Sequence, residues 1–111
     1  MGTRRRAREL ALQLLYQKEL RETSLEEMQL GFDEWQNAGE SVREFADKLL
    51  RGTLARMSEI DAELVQQTAH WRLERLAAVD RNILRLAMFE LMYDSGTPHA
   101  VVIDEAIEIA K

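Results

Sequence analysis

Four arginines crowd the start of the chain, at Arg4, Arg5, Arg6 and Arg8. A guanidinium presents a planar fork of donors that matches the oxygens of phosphate. Several such groups together release counterions from RNA or DNA, which drives binding. Their neighbours Ala7, Leu10, Ala11, Leu14 and Leu15 repeat at helical spacing, so the arginines occupy the first turns of a helix. The positive end of the helix dipole lies there, and cations are disfavoured. Folding alone would prefer acids at these places, so the pattern points to an anionic partner. Tyr16 follows Arg5 by 11 residues and projects at nearly the same angle, about 16 Å further along the helix. An aromatic on that face suits stacking on an unpaired base. The plainer readings are a solvated basic tail and a Tyr16 at the core edge. Later in the chain Arg72, Arg75, Arg81 and Arg85 bracket a bend and a second strong helix. Arg81 and Arg85 share a face. They extend the basic track, or they pair with Glu74, Asp80 and the acids of the last helix, and pairing is the expectation.

Other chemistry is missing. There is no glycine-rich phosphate loop, no Gly-x-Ser-x-Gly and no His-Glu-x-x-His. His70 and His99 stand alone in sequence. Glu26-Glu27 and Asp104-Glu105 sit at helix starts, where they favour the dipole. With no cysteine, a disulfide framework, a cysteine zinc site and a cysteine nucleophile are excluded. The expectation is a protein without catalysis, cofactor or metal, in a reducing, cytoplasmic setting. No apolar run approaches the roughly 20 residues needed to span a bilayer. Glu9, Gln13 and Gln17 interrupt the only stretch that could imitate an export signal.

The chain has 111 residues, enough for one domain with a modest core. Its net charge of -5 argues against a nucleic-acid binder when taken alone. The first eight residues nevertheless carry +4, and the rest carry -9. Such an acidic body would repel a duplex lying across it. Contact at one end with a short single strand is easier to reconcile.

The elements that must position these residues read as helices throughout. Thr3 is a candidate N-cap for a helix over about residues 4–21. Ser24-Leu25-Glu26-Glu27 forms a capping box. It opens a second helix with Leu25, Met28, Phe32 and Trp35 on one face, ended by Asn37-Ala38-Gly39. Ser41-Val42-Arg43-Glu44 is a second box. The helix after it places Val42, Phe45, Leu49, Gly52 and Ala55 or Arg56 inward. Ser58 starts a fourth helix with Ile60, Leu64 and Val65 apolar. A bend through His70-Trp71-Arg72 and a short apolar turn through Leu73, Leu76 and Val79 follow. Asp80 caps a fifth helix bearing Ile83, Leu84, Ala87, Leu91 and Met92. After a break over residues 94–98, Ala100 to Lys111 form the last helix, because the Val101-Val102-Ile103 run has no other strand to pair with. The fold class is all-α, helices packed on helices.

Three ordered blocks carry a family resemblance. They are Arg4-Arg5-Arg6-Ala7-Arg8-Glu9-Leu10-Ala11-Leu12-Gln13-Leu14-Leu15-Tyr16, then Trp71-x-Leu73-x-Arg75-Leu76-x-x-Val79-Asp80-Arg81-x-Ile83-Leu84-Arg85-Leu86-Ala87 with Glu90-Leu91, and finally Pro98 with Val102-Ile103-Asp104-Glu105-Ala106-Ile107-Glu108-Ile109-Ala110-Lys111. Together they span nearly the whole chain, which resembles the NusB family of transcription antitermination factors. Asp104 stands where an Asn is usual. The resemblance implies two small helical bundles packed across each other, at residues 1–57 and 58–111. It implies binding of the boxA element of nascent ribosomal RNA as single-stranded RNA. The partner in that binding is a small-subunit ribosomal protein, NusE. It also implies assembly with NusA, NusG and RNA polymerase. By position, Arg4, Arg5, Arg6, Arg8, Gln13 and Tyr16 would lie at the RNA surface. Asp80, with its neighbour Arg81, would lie at the ribosomal-protein surface, although an N-cap role also explains Asp80.

The family pattern continues past the last helix with a Phe-Val-Asn-Gly-Val-like segment, whereas this sequence stops at Lys111. The expectation is a second bundle lacking its closing segment, and hence a looser half or a homo-oligomer. Two further readings stay open. One is the N-terminal domain of an rRNA cytosine-5 methyltransferase, which resembles the same family. The other is a helical adaptor that binds only protein.

Overall fold

A computed structural model describes residues 2–67, 72–94 and 96–110. Seven α-helices occur among them, with one 3-10 turn and no strand. They are α1 (Thr3–Leu20), α2 (Leu25–Leu30), α3 (Asp33–Gln36), α4 (Glu40–Ala55), α5 (Met57–Gln67), α6 (Ala78–Tyr93) and α7 (His99–Ala110). The short turn Leu73–Arg75 leads into α6. The all-α reading holds. The Val101-Val102-Ile103 run is helical despite its β-branched residues.

The apolar stripe of α1 is the centre of the core. Ala7, Leu10, Ala11, Leu14 and Leu15 are all buried. The most extensive packing against them comes from α4, which supplies Val42, Phe45, Ala46, Leu49 and Leu50. Leu25, Met28 and Trp35 of α2 and α3 pack into the same cluster. Ile60 and Leu64 of α5 and Leu73, Leu86 and Phe89 from the α6 region join the same cluster. The apolar interior is therefore continuous across the expected boundary at residues 57 and 58. Each buried leucine contributes roughly 1.5–3 kcal/mol relative to exposure.

Several local expectations are corrected. Gly2, not Thr3, is the N-cap of α1, and no side chain caps it. The expected second helix breaks in two. Gly31 ends α2, and Phe32 turns extended before α3. Glycine is a poor helix residue, and the break is bridged by Gln36 Nε2 donating to the Gln29 carbonyl at 3.0 Å. The Ser24 cap of the first box does form, with Glu27 N–H donating to Ser24 Oγ at 3.3 Å. The second does not. Gly39 is the N-cap of α4, so Ser41 lies inside the helix.

Neither Ala55 nor Arg56 faces inward; both are exposed, and Thr53 is buried instead. Arg56 ends α4 so tightly that α5 starts at Met57, one residue before Ser58. Val65 and Val79 are exposed rather than packed. Asp80 does not cap α6. Ala77 holds that position, and Asp80 lies in the first turn. The helix starts earlier because Arg81 N–H already reaches the Ala77 carbonyl at 2.9 Å. The expected bend at His70-Trp71 lies outside the described residues.

The crossing of α4 and α6 depends on a missing side chain. A Cβ built at Gly52 would fall on the ring of Phe89. Phe89 packs on Tyr93, with ring centroids 5.7 Å apart. Glycine is needed at this point for close approach, and its backbone φ is ordinary.

Candidate nucleic-acid interface

The first turns of α1 distribute their arginines around the helix, because each residue advances by about 100°. Arg4 and Arg8 point the same way, towards α4. The Arg4 guanidinium lies 3.8 Å from the centroid of the Phe45 ring, and that of Arg8 lies 5.5 Å from it. Arg5 turns to α7, where its Nε donates to Glu105 Oε2 at 2.8 Å and its Nη2 donates to Oε1 at 3.4 Å. Arg6 turns to α3, donating from Nη2 to Glu34 Oε2 at 2.7 Å, with Glu9 at 3.5 Å.

Arg8 differs from the other three. Its Nε and Nη2 donate to the two oxygens of Glu90, each at 2.9 Å, and the side chains are only 6% and 2% exposed. The Glu90 hydrogen bonds hold the Arg8 guanidinium above its ordinary pKa, against the opposing effect of burial. Arg8 therefore lies inside the fold in this structure, whereas the sequence reading put it at the RNA surface. It joins α1 to α6.

Arg4 is exposed and has no hydrogen bond or ion pair among the described residues. Beside it an open concavity of about 550 Å³ is lined by Thr3, Arg4, Ser41, Glu44, Phe45 and Lys48. Lys48 reaches Asp94 Oδ1 at 3.3 Å. Burial pushes the Asp94 carboxyl up, but the Gly96 N–H and Lys48 outweigh it and leave the group below its ordinary value. Gln13 and Tyr16 are half-buried on α1. Spacing alone puts Tyr16 far along the helix from Arg5, roughly three turns away.

The expected pairing of Arg81 and Arg85 occurs, but with different acids. Glu19, near the end of α1, takes Arg81 at 2.7 Å and Arg85 at 3.3 Å. Arg85 also makes a forked contact with Asp61 of α5 at 2.8 and 2.9 Å. Asn82, fully buried, accepts from Arg85 at 3.0 Å. Burial raises the Glu19 carboxyl, and the Arg81 hydrogen bond with both arginine charges lowers it further than that, so it ends below its ordinary value. Glu74 and Asp80 are left exposed. Asp80 lines a shallow apolar groove of about 330 Å³ between α6 and α7, beside Leu76, Ile83, Leu84 and Ile107. Arg81 also donates to the Leu76 carbonyl at 3.0 Å, so its fork is spent within the fold.

Sequence reasoning missed Phe45 and Lys48 as parts of this surface, and every acid that meets an arginine of α1. No local signal identifies Glu34, Glu90 or Glu105, because they lie 28, 82 and 100 residues away from their partners. Among the described residues no group of His, Cys, Asp or Glu is arranged to hold a metal ion. None of the helices described is long and apolar enough to cross a membrane.

The fold and this surface define a protein that is helical through its described elements and gathers guanidinium groups at one end of its first helix. The family model described as NusB family matches residues 5–111, and the chain belongs to that family. It is 46% identical to "Transcription antitermination protein NusB" of Trichlorobacter lovleyi over 111 residues, covering all of this chain and 78% of that one. The protein of the same name from Geobacter sulfurreducens is 43% identical over 112 residues, covering 100% and 81%. Among solved structures, T. maritima NusB aligns with a TM-score of 0.82 at 37% identity, covering 96% of this chain and 75% of that one. A crystal structure of antitermination factors NusB and NusE in complex with dsRNA aligns with a TM-score of 0.84 at 28% identity, covering 100% and 83%.

Proposed function

We propose that this protein is a transcription antitermination factor that binds boxA RNA of nascent ribosomal RNA transcripts together with the ribosomal protein NusE. The observation that carries this reading is the set of guanidinium groups on α1. Arg4 stacks on Phe45 beside an open concavity and makes no hydrogen bond or ion pair among the described residues. Arg5 and Arg6 already hold carboxylates in the way they would hold phosphates. The name shared by the relatives, and the RNA and NusE bound in one aligned structure, support it. They favour a free-standing factor over a methyltransferase domain. Gln13 and Tyr16 belong to the proposed RNA face, with Tyr16 available to stack on an unpaired base. Asp80, exposed at the mouth of the apolar groove, belongs to the proposed NusE face. Arg81 acts there by fixing the start of α6. NusA, NusG and RNA polymerase complete the proposed assembly.

Fluorescence anisotropy with labelled boxA RNA, single-stranded and duplex, with and without NusE, tests the reading. Binding is expected to weaken as salt rises. Arg4→Ala, Arg5→Ala and Arg6→Ala should each weaken it across RNA sequences and reduce the salt slope by about 1. No salt-sensitive binding, or full affinity in the triple variant, overturns it.

A further inference from the structure

We propose that Glu34 and Glu105 are internal competitors for RNA phosphate, which hold Arg6 and Arg5 in the free protein and set how tightly RNA must bind to displace them. The inference rests on the RNA-binding reading above and adds the residues that tune affinity at that site.

The argument starts from what the arginines are doing without RNA. A carboxylate and a phosphate present the same pair of acceptor oxygens to a guanidinium fork. Glu105 occupies the fork of Arg5 through Nε and Nη2, and Glu34 occupies Nη2 of Arg6. Neither acid comes from α1. Glu34 lies on α3 and Glu105 on α7, so tertiary structure delivers both to the basic helix end. The Arg6–Glu34 pair is open to water, at 42% and 52% exposure, and the Arg5–Glu105 pair is partly open, at 31% and 20%. Arg8 and Glu90 show the contrast, since their pair is closed off and cannot exchange with an incoming anion.

Exposed pairs of this kind are weak enough to be displaced yet strong enough to be felt. Each contributes up to about a five-fold factor in an equilibrium. RNA that takes Arg5 and Arg6 must release both carboxylates. Removing one acid spares one of these exchanges.

The test uses the full chain and labelled single-stranded boxA RNA at low salt. Glu34→Gln and Glu105→Gln are each expected to tighten binding about two- to five-fold, and the double variant to tighten it further. Glu22→Gln, which removes an acid from the loop after α1, is expected to change it by less. In an Arg6→Ala background, Glu34→Gln should lose its effect, since the competitor then has nothing to hold. An acid that merely repelled phosphate through space would tighten binding there as well, so that result overturns the inference. Unchanged or weaker binding by Glu34→Gln also overturns it, as does equal tightening by Glu22→Gln. Wild-type binding with no response to Glu34→Gln defeats this inference alone. No RNA binding by wild type or variants defeats both it and the RNA-binding reading, whereas binding by the variants only supports both. Glu34 is exposed on its short helix, so the Glu34 arm stands even where Glu105→Gln loosens α7.

Discussion

Arg8 and Glu90 meet in the interior through two hydrogen bonds of 2.9 Å. Removing one member of a buried ion pair leaves an uncompensated charge and typically costs about 3–5 kcal/mol. Glu90→Ala is therefore expected to lower the urea unfolding midpoint markedly at neutral pH. Arg8→Lys should do so by less, because it keeps the charge and loses the fork. An Arg8→Ala chain that keeps its stability but loses RNA binding would return Arg8 to the RNA face. The sequence made the four arginines visible as a group, and spacing alone placed them on one helix end. It could not divide them. Arg8 differs from Arg4 only in having a buried acid 82 residues away, and no local pattern encodes that distance.

At the scale of elements, Gly52 sets how closely α4 and α6 approach. Gly52→Ala must displace the Phe89 ring, and overpacking of this kind costs about 1–3 kcal/mol. Phe89→Leu should recover part of the loss in the double variant, as read by chemical denaturation. The Ser24 cap is a smaller feature, and Ser24→Ala is expected to cost about 1 kcal/mol by the same measurement. Helices were largely legible from the helical period of their apolar residues, although α6 buries Ile83, Leu86 and Phe89 where Ile83, Leu84, Ala87, Leu91 and Met92 were expected, and Met92 is exposed. Ends were less so. Thr3, Ser41 and Asp80 have the composition of N-caps, yet the helices start at Thr3, Glu40 and Ala78. A preceding glycine or alanine took the cap position each time. Propensity for a cap is weak beside the tertiary packing that decides where a helix begins. The break at Gly31 was hidden because Leu25, Met28, Phe32 and Trp35 keep helical spacing across it.

For the whole molecule, acids and arginines form the second layer of cohesion around the apolar core. Glu19, Asp94 and Glu105 all have carboxyl groups held below their ordinary values. For Glu105 the hydrogen bond from Arg5 is the main cause. A depressed folded-state value stabilises the fold above the unfolded-state value, and that stability is lost as pH falls through the folded-state value. The urea midpoint is therefore expected to hold near neutral pH and to fall on acidification towards about pH 3. Glu19→Gln should lower the neutral midpoint and flatten this dependence. The net charge of -5 reads differently in this light. Part of the acid excess is committed to neutralising the arginine end from within, which no composition count reveals.

The 82-residue span between Arg8 and Glu90, and the 100-residue span between Arg5 and Glu105, also fix an order of events during synthesis. The segment made first acquires two of its counter-charges last. A nascent chain released only as far as α4 can fold α1 against its leucines while Arg5 and Arg8 still lack those carboxylates. The arginine end of the emerging protein is then less neutralised than in the finished fold, and it gains those two carboxylates only as α6 and α7 arrive.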